Sequence, residues 1–242
     1  MPKKSKDSLH NRSSFPTTNW SDIGMLSQDD FSIAIGVICE KYWYPVYAFI
    51  RRRCSDPYQA EDLTQAFFEK VLARRMFRAA DPDKGRFRSY VLASVRNFMA
   101  SHFAAASSQR QGGGQRALPI DMLVAEDLYC RNRTTTSSPE EEFDRAWAIT
   151  LLETAIDRLR DEYAQKQQLQ RFELLMPILQ SCPLDYAAIS NALEIDAAAA
   201  RKAASRFRQR YGQLLREEIS STLSETDDIE EEICWIIGRF AR

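Results

Sequence analysis

Apolar residues recur every three or four positions along most of this chain of 242 residues. This interval is the spacing of one face of an α-helix, so it predicts helices that each bury one side. The first such stripe contains Phe31, Ile35, Ile38 and Tyr42, and similar stripes lie in the segments 60–71, 87–102, 143–159, 169–179 and 200–214. No segment alternates apolar and polar residues over a useful length, as a half-buried strand does. The sequence therefore predicts an all-α fold.

Several helix ends can be placed from capping residues. At residues 138–141 the sequence Ser-Pro-Glu-Glu combines an N-cap serine, a proline at the first helical position and a glutamate that completes a capping box. Aspartates that can cap a helix occur at Asp56, Asp185 and Asp196. Three glycines at 112–114 end the helix before them, because each costs about 1 kcal/mol relative to alanine in a helix interior. The pattern predicts two helical domains joined by a tether.

Charge is segregated along the chain, although the net charge is only −1. Residues 84–116 contain six basic and no acidic residues, and residues 197–216 also contain six basic and no acidic residues. Residues 217–232 contain eight acidic and no basic residues. Two basic stretches that alternate with acidic ones indicate contact with a polyanion at two places. The alternative is that these stretches are solvated helix faces, but such faces usually mix both signs.

Motifs for catalysis and metal binding are lacking. The chain has two histidines and five cysteines without a CxxC pair, so it predicts neither a structural zinc site nor a disulfide scaffold. No phosphate-binding loop or HExxH sequence occurs, and the longest apolar run, 33–39, is far shorter than the ~20 residues of a membrane-spanning helix. We therefore expect a cytoplasmic protein that is not an enzyme, binds no cofactor or metal and does not insert into a membrane.

The segment 185–218 has the parts of a helix-turn-helix. A short helix ends near Leu193, a tight turn follows, and Asp196 can cap a longer basic helix. In such a motif the second helix lies in the major groove of DNA. An ordinary helical hairpin with a basic exterior is the alternative. The outward positions that we expect to contact DNA are Arg201, Lys202, Ser205, Arg206 and Arg208.

The basic stretch 84–116 interleaves aromatic rings with cations, a mixture typical of proteins that bind single-stranded nucleic acid. Phe87 and Phe98 fall on the predicted inner stripe, and we expect them in the core. The positions expected at the surface and available to a nucleic acid are Arg86, Arg88, Arg96, Asn97 and Arg110.

The helix that follows Asp56 carries a polar and acidic face opposite its apolar stripe. Asp62, Gln65 and Glu69 lie three and four positions apart on this face. A face without positive charge cannot attract DNA. It either docks a basic partner helix or faces solvent.

The order of these parts carries a resemblance to a known family. The sequence AEDLTQ at 60–65, followed by GRFR at 85–88 and by the helix-turn-helix, resembles the extracytoplasmic-function sigma factors of bacterial RNA polymerase. The sequence FPTTNW at 15–20 is similar to a branch of this family whose members begin FPTT-x-W. The similarity covers residues 15 to about 222.

The resemblance implies a sigma factor with two helical domains. The first domain would bind core RNA polymerase and recognise the melted minus-ten element of promoter DNA, and the second would bind the minus-thirty-five element. The implied boundaries are an N-terminal tail at 1–27, a region 2-like domain at 28–116, a flexible linker at 117–139, a region 4-like helix-turn-helix domain at 140–222 and a C-terminal extension at 223–242.

The resemblance also gives the candidate residues their roles. Core polymerase would dock on the acidic face of the second helix, which comprises Glu61, Asp62, Gln65 and Glu69. The melted minus-ten strand would contact Arg86, Arg88, Arg96, Asn97 and Arg110. The minus-thirty-five element would contact Arg201, Lys202, Ser205, Arg206 and Arg208. An anti-sigma factor or another regulator would be a further partner.

Two other functions stay open at this point. One is a stand-alone helix-turn-helix transcriptional regulator that binds duplex DNA without polymerase. The other is a sigma-like adaptor that binds polymerase but has lost DNA readout, because residues 197–200 are four alanines without hydrogen-bond donors in their side chains.

Glu194 and the C-terminal extension are among the features that depart from the family pattern. Glu194 occupies a turn position where relatives usually have glycine, and a left-handed backbone there would cost on the order of 1 kcal/mol. The C-terminal extension places acidic residues before an apolar cluster that includes Ile233, Trp235 and Ile236. We hypothesise that this tail folds back on a domain or binds a regulatory partner, and that it masks the basic helix. The alternative is an amphipathic helix that caps the second domain.

Overall fold

The computed structural model describes residues 28–74, 76–79, 85–106, 122–133, 136–180, 185–223 and 227–240. All regular secondary structure in these ranges is helical, which confirms the predicted all-α fold. The predicted tail 1–27 with its FPTTNW sequence, the glycines at 112–114 and Arg110 lie outside the described residues. Two 3₁₀ segments cover Met76–Ala79 and Met176–Gln180. The α-helices of the described ranges are α1 (Gln28–Arg53), α2 (Pro57–Arg74), α3 (Phe87–Ala106), α4 (Met122–Asn132), α5 (Pro139–Gln165), α6 (Leu169–Leu175), α7 (Tyr186–Leu193), α8 (Ala197–Ser220) and α9 (Ile229–Phe240).

The helix starts follow the predicted capping residues. The Ser138 hydroxyl accepts a hydrogen bond from the backbone N–H of Glu141 at 3.1 Å, and the Glu141 carboxylate accepts one from the backbone N–H of Ser138 at 2.8 Å. This reciprocal pair is the predicted capping box, and it fixes the start of α5. Asp56, Asp185 and Asp196 cap α2, α7 and α8, because each carboxylate accepts backbone N–H groups two or three residues later.

The first hydrophobic core lies between α1, α2, α3 and α4, and it includes the N-terminal half of α5, the end of α8 and α9. Aromatic rings fill much of this core. Trp43 of α1 stacks on Phe68 of α2 with ring centroids 5.4 Å apart, and Tyr42 of α1 meets Phe87 of α3 edge-to-face, also at 5.4 Å. Such ring pairs contribute about 0.5–1.5 kcal/mol beyond area burial. They hold α2 and α3 in place on α1. These two helices carry most of the residues that were predicted to contact core polymerase and the melted DNA strand.

The second hydrophobic core lies between the C-terminal half of α5, α6, α7 and α8. Phe207 of α8 is 1% exposed, and its ring centroid lies 5.6 Å from those of Phe172 and Tyr163. Ile189 of α7 is buried in the same core. This packing positions the short helix and the basic helix of the predicted helix-turn-helix.

Two helices run through both cores. In α5, Trp147 is buried in the first core and Leu159, three turns later, is buried in the second. In α8 the order is reversed, with Phe207 in the second core and Ile219 in the first. The cores are therefore connected by two continuous helices.

The segment predicted as a flexible linker, 117–139, contains helix α4. This helix is bound to α1, because the Glu126 carboxylate accepts hydrogen bonds from Tyr47 Oη at 2.5 Å and from Arg51 Nη2 at 2.9 Å. Burial raises the pKa of Glu126, but the hydrogen bonds from Arg51 and Tyr47 outweigh burial and leave the pKa below its usual value. The sequence pattern did not predict α4, because a helix of 11 residues is marginal alone and depends on such tertiary contacts.

The turn between α7 and α8 has the left-handed backbone expected at Glu194, with φ 51° and ψ 43°.

Replacing Glu194 by glycine should raise the free energy of unfolding by about 0.5 kcal/mol. Relief of roughly 1–2 kcal/mol of left-handed strain exceeds the roughly 0.5–1 kcal/mol that glycine loses in backbone entropy. Urea unfolding followed by circular dichroism measures the difference. Glu194→Ala is the control, since it removes the side chain but keeps Cβ. An equal gain from alanine would contradict the strain argument.

Candidate functional site

The four residues predicted to dock polymerase lie together on the outward face of α2. Asp62 and Glu69 are exposed, while Glu61 and Gln65 are half-buried. Gln65 Nε2 donates a hydrogen bond to Glu61 Oε1 at 3.3 Å. The opposite face of the helix is anchored in the first core, where Phe67 is fully buried. The structure thus presents one continuous acidic and polar face on a fixed helix, which we call the α2 face (Glu61, Asp62, Gln65 and Glu69).

Two of the residues predicted to bind the melted strand lie on the exposed side of α3. The side chain of Arg96 is 59% exposed, and Asn97 is exposed beside it. Arg96 Nε lies 3.7 Å from Glu140 Oε1 at the start of α5, a contact between two partly solvated groups. Exposed pairs of this kind contribute only about 0–1 kcal/mol. Arg96 can therefore exchange this contact for a phosphate.

The expectation that Arg88 lies at the surface is wrong, because Arg88 is only 8% exposed. Its guanidinium pairs with Glu232 of α9 through Nη1, and Arg86 pairs with the other oxygen of the same carboxylate. The guanidinium carbon of Arg88 also lies 3.6 Å from the ring centroid of Trp235 and 4.8 Å from that of Trp147. Five residues were predicted to contact the melted DNA strand. Arg96 and Asn97 are exposed on α3, Arg86 and Arg88 are covered by α9, and Arg110 lies outside the described residues.

The spacing of Arg88 from the apolar residues of α3 indicates its burial, although the count of basic residues in this segment does not. Arg88 lies three residues before Val91 and seven before Val95, which are both fully buried. These intervals place Arg88 on the inner face of α3. A buried charge needs a counter-charge, and the position of Arg88 on this face indicates that a carboxylate must approach it.

A cavity of about 300 Å³ opens between α2 and α3 next to Asn97. Tyr90 is held at its wall by a hydrogen bond from Oη to the Met76 carbonyl oxygen at 2.7 Å. Lys70 Nζ lies 5.4 Å from the Phe98 ring centroid on the other side. Sequence reasoning placed Phe98 wholly in the core and gave Lys70 no role. The cavity combines ring surfaces with a cation and an amide, and it is lined by Phe67, Lys70, Met76, Tyr90, Ala93, Ser94, Asn97, Phe98 and Ser101.

The basic helix α8 presents to solvent the residues that were predicted to contact the minus-thirty-five element. Its inner face is buried through Ala200, Ala203 and Phe207, which fixes the rotation of the helix about its axis. Asp196 caps its first turn through the backbone N–H of Ala199 at 2.7 Å. The five side chains predicted to contact the minus-thirty-five element all lie exposed on the outer face: Arg201, Lys202, Ser205, Arg206 and Arg208.

Arg210, farther along the same helix, has an intramolecular role instead. Its Nη2 lies 2.6 Å from Glu162 Oε1 of α5, and Nε adds contacts of 3.1 Å to both carboxylate oxygens. The hydrogen bond from Arg210 holds the pKa of Glu162 below its usual value. This pair links α8 to α5, so Arg210 is not part of the exposed cationic row on the outer face of α8.

Comparison with known families gives a match within the first part of the chain. Residues 39–109 match the family Sigma-70 region 2. The match covers less than a third of the chain. The matched segment includes the whole α2 face, the cavity between α2 and α3, and the residues from Arg86 to Asn97 that were predicted to contact a melted DNA strand. No curated protein and no solved structure matches the chain significantly.

Among the described residues, no helix is long and apolar enough to cross a membrane. In the same part of the chain, no group of histidine, cysteine and carboxylate side chains is arranged to hold a metal ion.

Proposed function

We propose that this protein is a bacterial sigma factor of the extracytoplasmic-function type, which binds core RNA polymerase and directs transcription from specific promoters in the cytoplasm. The observation that carries the proposal is the match of residues 39–109 to Sigma-70 region 2, since this segment contains the α2 face and the strand candidates on α3. In this role the protein is not an enzyme itself and needs no cofactor. An anti-sigma factor as a further partner stays a prediction.

The α2 face is the proposed contact with core polymerase. Asp62 and Glu69 project from a helix whose other side is buried, so the face is rigid before binding. Rigid, exposed carboxylates attract a basic partner and fix its register.

The outward side of α3 is the proposed contact with the melted minus-ten strand. Arg96 can bind a phosphate, and Asn97 can offer its amide to a base edge. The adjacent cavity, with Tyr90 and Phe98 in its wall, has the ring surfaces on which an unpaired base can stack. Binding the open strand in this way offsets the few kcal/mol that unstacking a base costs.

The helix-turn-helix of α7 and α8 is the proposed contact with the minus-thirty-five element. Its support is the exposed row on α8, where Arg201, Lys202 and Ser205 lie nearest the capped start. A helix presented in this way can enter the major groove, with Arg206 and Arg208 directed to phosphates. The side chains of the first turn are alanines, so base contacts would come from the second turn onward.

Run-off transcription with core RNA polymerase tests this function. The purified protein should direct transcripts from a subset of genomic templates, whereas core polymerase alone should give none. Tight binding to duplex DNA without polymerase, and no transcripts, would favour a stand-alone regulator. Polymerase binding without promoter-directed transcripts would favour an adaptor.

The same assay gives a specific expectation for Arg96→Ala. Open-complex formation should fall by about tenfold to a hundredfold, because a hydrogen bond to a charged group contributes about 1.5–3 kcal/mol. Polymerase binding should be unchanged, since Arg96 lies on α3 and not on the α2 face. Arg131→Ala is the control, because Arg131 is 72% exposed on α4 and pairs with Asp127. Equal loss in both variants would show that the effect is one of general charge.

A further inference from the structure

The C-terminal helix α9 is packed on the first core. Ile236 is only 4% exposed, and Ile229, Ile233 and Trp235 pack against the same cluster of buried residues. Helix α9 contacts α5 and the end of α8. The hypothesis that the tail folds back on a domain is confirmed, and the contacts with α5 and α8 fall within the predicted second domain 140–222, as the alternative of a capping helix requires. The hypothesis that the tail masks the basic helix is wrong for the outer face of α8. The exposed row of α8 stays open, and α9 meets a different basic surface.

That basic surface is formed by Arg86 and Arg88 at the start of α3. Glu232 is 1% exposed and places one carboxylate oxygen at each guanidinium. Two further carboxylates approach Arg86, with Asp227 Oδ1 and Glu231 Oε2 each 3.9 Å from its nitrogens. The acidic segment that precedes and opens α9 therefore meets the basic segment that opens α3.

Aromatic contacts complete the enclosure of Arg88. Its guanidinium lies close to the indoles of Trp147 and Trp235, whose ring centroids are 6.0 Å apart. A guanidinium over a tryptophan face gains a further cation–π attraction. Helix α9 thus supplies an anion and an aromatic ring at one site, as a nucleotide does with its phosphate and its base.

We propose that α9 is an intramolecular latch on the strand-binding surface of this protein. In the free protein, Glu232 and Trp235 occupy Arg86 and Arg88. When the melted DNA strand binds, its phosphates replace the carboxylate and α9 leaves the surface. The proposal rests on the proposed function, since it assigns the strand to the region 2 segment.

The energetics of buried ion pairs make this exchange feasible. Desolvation of Arg88 and Glu232 offsets much of their mutual attraction, so the pair adds little net stability while it excludes other anions. A phosphate forms equally good charge-assisted hydrogen bonds with a guanidinium. The apparent affinity for the strand is then reduced by the fraction of molecules in which α9 is docked.

Full-length protein carrying Glu232→Gln tests the latch. This change keeps the shape of the side chain but removes the charge that faces both arginines. The probe is a short fluorescein-labelled single-stranded DNA of mixed sequence, and anisotropy gives its affinity. The variant should bind at least about tenfold more tightly than the unchanged protein.

Glu231→Gln is the matched control. It makes the same change on the same helix, but the side chain is 74% exposed and its carboxylate lies 3.9 Å from Arg86. The control should bind less than about threefold more tightly than the unchanged protein. Equal gains in both variants would attribute the effect to net charge and overturn the latch.

Hydrogen exchange of the backbone gives a second measurement that does not depend on a variant. In the unchanged protein, amides of α9 should lose protection when the single-stranded DNA binds, while amides of α2 should keep theirs. In Glu232→Gln, amides of α9 should be less protected even without DNA.

Each result has a defined reading. Released α9 with tighter binding supports the latch. If α9 is released in Glu232→Gln but the affinity for DNA does not change, the latch alone is overturned. The latch is also overturned if DNA binds the unsubstituted protein and the amides of α9 keep their protection. Continued protection of α9 in Glu232→Gln overturns the role of Glu232. If released α9 is accompanied by no DNA binding in either protein, the strand-binding function fails together with the latch.

Discussion

Replacing Phe207 by alanine should lower the free energy of unfolding by about 3–5 kcal/mol, because the change leaves a cavity in a core that cannot fully close around it. Phe207 is 1% exposed and packs against Tyr163 and Phe172. Urea unfolding followed by circular dichroism measures the loss. Phe103→Ala is the matched control, since Phe103 is 47% exposed and its removal should change stability by less than about 1 kcal/mol.

The informative measurement is the tryptophan fluorescence of the same variant. Three of the four tryptophans, Trp43, Trp147 and Trp235, lie in or against the first core, whereas Phe207 lies in the second. Because α5 and α8 run through both cores, we expect the two cores to unfold in one transition. The fluorescence midpoint should then shift as far as the midpoint from circular dichroism.

A different outcome would favour the domain plan predicted from the sequence. If the tryptophan transition stayed in place while circular dichroism split into two steps, the cores would unfold independently. In that case α5 would break between Trp147 and Leu159 during unfolding. The two results are separated by one titration with two probes.

Reversing the charge of Asp62 should weaken binding to core RNA polymerase by about a hundredfold. The proposed partner surface is basic, and placing like charges together at an interface costs several kcal/mol. Binding can be measured by the anisotropy of labelled protein titrated with core polymerase. Since Asp62 is exposed, Asp62→Arg should change the free energy of unfolding by less than about 0.5 kcal/mol.

The matched control for this experiment is Glu173→Arg. Glu173 is 62% exposed on α6, which belongs to the second core, and its nearest cation is Arg160 at 3.7 Å. The same charge reversal there should leave polymerase affinity within about twofold. If both variants bound polymerase as the unchanged protein does, the α2 face would not be the docking surface, although the run-off assay could still support a sigma factor.

The helical class and the helix starts could be predicted because their causes are local. A capping box needs only Ser138 and Glu141, three residues apart, and the structure shows both of its hydrogen bonds. The outward row of α8 could be predicted for the same reason, since Ala203 and Phe207 fix which side is buried. The left-handed turn at Glu194 could be predicted because α7 ends and α8 starts within a few residues of it.

Helix α4 and the environment of Arg88 could not be predicted from local patterns. The stability of α4 depends on Glu126 reaching Tyr47 and Arg51 in α1. The count of basic residues in 84–116 treated Arg88 as one cation among six, although its spacing from Val91 places it on the inner face. A charge count has no information on which side of a helix each charge lies.

The sequence alone determined that this chain forms amphipathic helices, where many of them begin, and that it separates its charges into basic and acidic segments. Only the tertiary structure decided which of these segments meet. Glu232 lies 144 residues from Arg88 in the chain, yet the two form an ion pair. The physical reason is the separation along the chain over which each interaction acts. Helical periodicity and capping act over three or four residues, whereas the pairing of α9 with α3 depends on how α1, α5 and α8 pack to bring distant segments together.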